Sequence, residues 1–260
     1  MSLTNKSPSE TYKDLLYVDN SNSGIDSTKR DLKSGSGTSS SLSVSDRALT
    51  VKSNTDNTSA FVVSNSGGTN KLLVDTTNDA VKALNVHVNT QYVRFGINNV
   101  DSRAFAAGYH YPIPFEFAAP PEGPNFGNGT DPATSFTTAE GSDTRAAGIV
   151  PMLWYIHDDI TIDEIKCFEG ADAADGDLTR FHLFSYDFTN GSTSCLSNGT
   201  LLARSGIDVN NAGSEQAYLS TLTIDSANVA SGKVVLAFFE SDSINSDYSL
   251  SVNIKYHITG

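Results

Sequence analysis

Residues 48–84 read ALTVKSNTDNTSAFVVSNSGGTNKLLVDTTNDAVKAL, and the fold of the chain turns on how this stretch hides its apolar side chains. It holds four short apolar runs: Leu49 and Val51, Phe61 and Val63, Leu72 and Val74, Val81 and Ala83. In each run the large residues stand two apart, the period of a strand with one buried face. The clusters between them, NTDNTS, SGGTN and TTND, carry the Gly, Asn, Asp and Ser that tight turns require. The runs recur at roughly 9 to 12 residues, a loose repeat of strand and turn.

Such a repeat cannot bury itself. A segment below about 40 residues rarely makes a core without staples or partners. This one has no cysteine, no metal-ligand cluster and no helical stretch to cover its apolar face. Further copies of the same chain, wound about a symmetry axis, would supply the missing apolar surface and leave few open edges. The expectation is the shaft of a homotrimeric β fibre over residues 47–100, with Leu49, Val51, Phe61, Val63, Leu72, Val74 and Val81 as trimer contacts. The alternative is an irregular extension of one ordinary β-domain.

A chain of 260 residues has room for one large or two modest domains. Its formal net charge is -13 with only 17 Lys and Arg. That acidity argues against nucleic acid as a partner, because phosphate binding needs basic patches. It equally disfavours adhesion to anionic membrane surfaces. The opening residues, MSLTNKSPSETYKDLL, lack a basic segment followed by an apolar core, so no signal peptide is expected. The longest apolar stretch, Ile149 to Ile156, is too short to span a bilayer. Two cysteines, Cys167 and Cys195, make no disulfide framework and are expected reduced and buried, in a protein folded in a cytoplasm.

Residues 1–46 are poor in large apolar side chains and are expected to form an extended anchor and linker; SGSGTSSSLSVS (34–45) is flexible by composition. Within them Tyr12, Leu15 and Leu16 have the spacing of one helical face, and with Tyr17 they make a candidate particle-docking segment. Two readings stand for it: a peptide that orders on a larger assembly, or local packing onto the chain's own shaft. Val86 to Ile97 alternates as a further strand or two. Six of the eight prolines then fall between Pro112 and Pro132, marking residues 101–147 as an ordered connector rather than sheet interior. The interleaved Tyr109, Tyr111, Phe115, Phe117 and Phe126 imply that it is packed down on something.

Residues 148–260 read as all-β, an antiparallel β-sandwich of jelly-roll type. Candidate strands are Ile149–Ile156, Ile160–Phe168, Arg180–Tyr186, Thr200–Ala203, Ala217–Ile224, Lys233–Phe239 and Ser249–Tyr256. Val234, Leu236 and Phe238 would face the core on one strand, and Leu250, Val252, Ile254 and Tyr256 on the last.

The N-terminal third, TYKDLLYVDNSNSGIDSTKRDLKSGSGTSSSLSVSDRALTVKS followed by NTSAFVVSNSGGTNKLLVDTTNDAVKAL, resembles the start of fibre-like virion proteins of marine tailed bacteriophages. In those, a short anchor precedes repeats ending in a phrase like LLVDTTNDAVKA. The stretch ITIDEIKCFEGADAADGDLTRFHLFSYDF and the later GKVVLAFFESDSINSDYSLSV resemble distal domains of such proteins. The resemblance implies a homotrimeric virion appendage, assembled in the host cytoplasm. Its N-terminus would sit on tail or capsid proteins, and its head would meet a host surface glycan or protein. It carries over no catalytic or receptor-binding residue.

Catalytic and metal chemistry is not expected. Asp172, Asp175 and Asp177 put three carboxylates in one loop, but the spacing lacks the closing Glu of a calcium-binding helix–loop–helix site, so a solvated turn is preferred. His87, His110, His157, His182 and His257 are scattered without metal spacing, and His157 has no activated serine to serve. A glycosidase carboxylate pair would need a larger groove-bearing scaffold. Trp154, Tyr155, Tyr186 and Tyr248 could stack on sugar rings, though core packing accounts for each. The expected protein is thus a non-enzymatic phage tail fibre or spike without cofactor. The alternatives are a capsid-borne head fibre or decoration protein and, from another class, a stand-alone carbohydrate-binding module.

Overall fold

The computed structural model describes residues 13–21, 23–100, 106–116, 124–138, 146–172, 176–206, 208–209, 216–242 and 247–259. They are predominantly strand, and every named pairing is antiparallel. The chain divides into two compact units, residues 1–88 and 89–260.

The first unit holds two four-stranded meanders. One is β1 (Leu16–Val18), β2 (Arg30–Ser34), β3 (Ser39–Val44) and β4 (Leu49–Val51); the other is β5 (Phe61–Ser64), β6 (Asn70–Asp75), β7 (Ala80–Ala83) and β8 (Val86–His87). Two hairpins within them share one turn. Between β2 and β3, Gly37 donates to the Ser34 carbonyl at φ +86°; between β5 and β6, Gly68 donates to the Asn65 carbonyl at φ +80°. A left-handed residue at that position is what a short hairpin loop of this kind demands.

The serine-rich stretch 34–45, expected as linker, therefore supplies a turn and a whole strand. Leu42 and Val44 pair across to Val51 and Leu49, and this alternation outweighs the flexible composition around it. The Tyr12–Leu16 helical spacing is not followed either. Leu16–Val18 lies extended against Leu32–Ser34, and Tyr12 is outside the described residues.

In the second unit, β9 (Thr90–Val100) and β10 (Tyr111–Ile113) come first, then a short helix α1 (Ala146–Ile149), a 3-10 turn (Val150–Met152) and β11 (Trp154–Tyr155). Nine strands follow: β12 (Ile160–Asp172), β13 (Leu178–Phe188), β14 (Leu196–Arg204), β15 (Asp208–Val209), β16 (Gln216–Thr221), β17 (Thr223–Ile224), β18 (Asn228–Val229), β19 (Lys233–Ser241) and β20 (Asp247–Ile258). The expected strand over Ile149–Ile156 is mostly helical turn. Pro151 lacks the N–H a strand would donate, and only Trp154 and Tyr155 pair, with β19.

One sheet runs β16-β12-β20-β9 with β18 on β12, and the other β10-β19-β13-β14-β17 with β11 and β15 attached. Residues 90–100, placed with the shaft in the expected boundaries, thus form an edge of the C-terminal sheet, paired along β20.

The sandwich core comes from both sheets: Phe95, Ile162, Ile165, Val252 and Ile254 from one, and Phe181, Leu183, Val235 and Phe239 from the other. A second core lies on the opposite face of β19 and β13. There Val234, Leu236, Phe238, Phe184 and Tyr186 pack against Phe126, Phe136, Ile149 and Met152. β19 is consequently buried on both faces, as its unbroken apolar run VVLAFF requires. Residues 124–138 of the proline-rich connector form a third layer, tied down by Phe136 N–H to the Leu196 carbonyl and by the Tyr186 hydroxyl to the Ala133 carbonyl at 2.8 Å.

Gly199 marks the tightest point of that contact. A Cβ there would stand 2.6 Å from Tyr186 Cε1 and 2.7 Å from Thr134 Cα. Gly199→Ala is expected to cost about 1–3 kcal/mol by overpacking, read by urea unfolding followed through Trp154. A variant as stable as the parent would show that the connector does not press on β14.

Candidate functional site

The most unusual surface of the molecule lies in the first unit. On β5–β8 the register sets Phe61 opposite Val74 and Val74 opposite Val81, with Val63, Leu72, Ala83 and Val86 in the next row. All seven side chains share one face, because same-face residues in a sheet are two apart. The other face carries Val62, Leu73, Lys82 and His87 and is more polar.

Among the described residues of the first unit, β4 approaches this face only beside Phe61 and Val74, and much of it stays open. Phe61 keeps 40% and Val63 45% of its surface exposed, and Leu49 keeps 67%. Ala80 is the one buried apolar side chain among the described residues up to Val88. The two meanders meet at an apolar groove of about 520 Å³ lined by Leu49, Val51, Ala60, Phe61 and Val74. All seven expected trimer contacts therefore lie on these two sheets, with Leu49, Val51, Phe61 and Val74 brought to one groove and Val63, Leu72 and Val81 on the same sheet face as Phe61. Of the docking candidates, Leu15, Leu16 and Tyr17 are exposed.

A second constellation, invisible in the sequence, lies on the connector side of the second unit. β10 pairs with β19 and β19 with β13, so His110, which precedes β10, meets Glu240 and His182. The two imidazoles contact edge to face, with ring centroids 4.9 Å apart. His110 Nε2 donates to the Gly129 carbonyl at 2.9 Å, and His182 Nε2 lies 3.4 Å from Asp131 Oδ1. Both Nδ1 atoms and Glu240 Oε2 are buried without a hydrogen-bond partner among the described residues.

Arg180 Nη1 stands 4.0 Å from Glu240 Oε2, and Arg204 Nη1 stands 3.5 Å from Asp131 Oδ1. Burial first, and then the neighbouring His110, push the His182 pKa down from 6.5 to about 4, against the pull of Asp131. Among the described residues no three or more His, Cys, Asp and Glu side chains are arranged to hold a metal ion. What the cluster can do is pin residues 129–131 of the connector to the sheet.

The other residues singled out by sequence fall as follows. Asp177 Oδ2 accepts the Tyr248 hydroxyl at 2.6 Å, inside a buried network where Tyr248 also meets Ser241 Oγ and Thr179 donates to Glu169 Oε2. Asp175 lies outside the described residues. Cys167 and Cys195 are free thiols, both buried. Trp154, Tyr186 and Tyr248 are core side chains, and Tyr155 is half exposed beside His157. No family model matches the chain, and none of the curated proteins does.

Proposed function

We propose that this chain is a structural subunit of a homotrimeric bacteriophage appendage, without catalytic activity. The first unit would form its shaft, and the second a jelly-roll-like head that contacts the host surface. The observation that carries the reading is the uncovered face of β5–β8. An all-apolar sheet face in a unit with almost no core of its own is a surface awaiting partners. Copies of the same chain are the partners that fit, because a sheet such as β5–β8, with one apolar and one more polar face, can close into a bundle about an axis. Self-association rests on that face; the count of three, the virion and the attachment role rest on the resemblance of residues 11–84 to phage fibre proteins. A capsid-borne head fibre or decoration protein is the alternative and shares these features.

Light scattering of the purified full-length chain tests it. A particle of three times the 27.7 kDa chain mass is expected at micromolar concentration. A well-folded monomer under those conditions would sink the fibre reading and leave a stand-alone binding module.

A further inference from the structure

We propose that a cleft at one end of the C-terminal sandwich is a binding subsite for a neutral saccharide. The inference rests on the attachment role given above to the head and names the chemistry of what it would attach to. The cleft encloses about 190 Å³ and is lined by Gln91, Trp154, Tyr155, Ile156, His157, Asp158, Ile160, Tyr256 and Ile258. Ile156, Ile160 and Trp154 are buried and form an apolar floor.

The aromatic walls are held in place before any ligand arrives. Tyr256 packs on Trp154 with ring centroids 5.1 Å apart, and its hydroxyl donates to Gln91 Oε1 at 2.8 Å. Trp154 is backed by Phe115, stacked at 6.4 Å. Tyr155 keeps 50% of its surface exposed and is met edge-on by the His157 ring at 4.9 Å. A half-exposed aromatic fixed beside a polar rim is characteristic of recognition surfaces.

The rim decides the ligand class. Gln91 brings amide N–H donors, Asp158 a carboxylate acceptor and His157 a ring nitrogen. Apolar floor, aromatic wall and mixed polar rim match a pyranose, which has a C–H face to lay on a ring and hydroxyls that both donate and accept. The lining has no Lys or Arg, and the chain carries a net charge of -13, so an anionic sugar is disfavoured.

Trp154 is the single tryptophan of the chain and reports on the cleft directly. The test titrates the full-length protein with glucose, galactose, mannose, N-acetylglucosamine and their disaccharides, following Trp154 emission with particle mass measured in parallel. At least one sugar is expected to give a saturable change with a millimolar Kd. Tyr155→Ala should weaken it about tenfold at unchanged particle mass, and Asp158→Asn should weaken it as well. No saturable change across the panel, or unchanged affinity in both variants, overturns the subsite. A trimer that binds none of these sugars removes the subsite alone; a monomer that binds one removes the fibre reading alone.

Discussion

Acidification from about pH 7.5 to about pH 4 is expected to take about 3 kcal/mol from the stability of the C-terminal unit through His182 alone. The ring is buried neutral, and its pKa falls from 6.5 to about 4 in the folded protein. A depressed histidine pKa means that the unfolded chain takes up the proton first. Its contribution is therefore complete above pH 6.5 and is lost progressively as pH falls through 4. The groups facing the ring agree with that sign. His110, Arg180 and Arg204 oppose a new positive charge, while Asp131 at 3.4 Å favours it, and Glu240 lies across His110 and Arg180. Urea unfolding monitored by Trp154 at several pH values measures the loss. His182→Gln keeps a donor toward Asp131 and cannot titrate, so its profile should be flat between pH 6.5 and 4 relative to the parent. Parallel profiles for the two proteins would show that the histidine pair does not carry the acid sensitivity.

Val74→Asp is expected to abolish assembly. Val74 lies on β6 between Phe61 and Val81, at the middle of the uncovered face. Each copy would lose about 2 kcal/mol of apolar burial. Repeated three times, about 6 kcal/mol corresponds to roughly a 10⁴-fold fall in association constant, before the mutual repulsion of the three carboxylates is added. Lys82→Asp, on the opposite face of the same sheet with Leu73 and His87, should leave the particle mass unchanged. Light scattering of the two variants decides it. Equal masses for both would mean that this face is not where the chains meet.

What the sequence disclosed is what period alone can carry. Residue spacing in FVVS, KLLVD and AVKA placed β5, β6 and β7 correctly, because each has one apolar side and flanking turn residues. The two-residue period points Val234, Leu236 and Phe238 to a core face and says nothing of Val235, Ala237 and Phe239. In fact the first three meet the connector and the second three fill the sandwich. A strand buried on both sides has no alternation to read, and its second cover comes from Phe126, Phe136, Ile149 and Met152, distant in the chain and set among prolines. The histidine pair was illegible for a related reason. His110 and His182 are joined only through the registers of β10 and β13 on β19, which no local spacing encodes. In residues 34–45 the two-residue step from Leu42 to Val44 outweighs the serine composition, which by itself points to a linker.

β20 lies between β12 and β9, hydrogen-bonded to both along nearly its whole length. During translation the two outer strands are made long before residues 247–258, so the seat between them stays vacant while most of the unit is already outside the ribosome. The final closure joins segments some 150 positions apart, the sort of long-range pairing that folds slowly. Until it happens, two strand edges stand open to neighbouring chains.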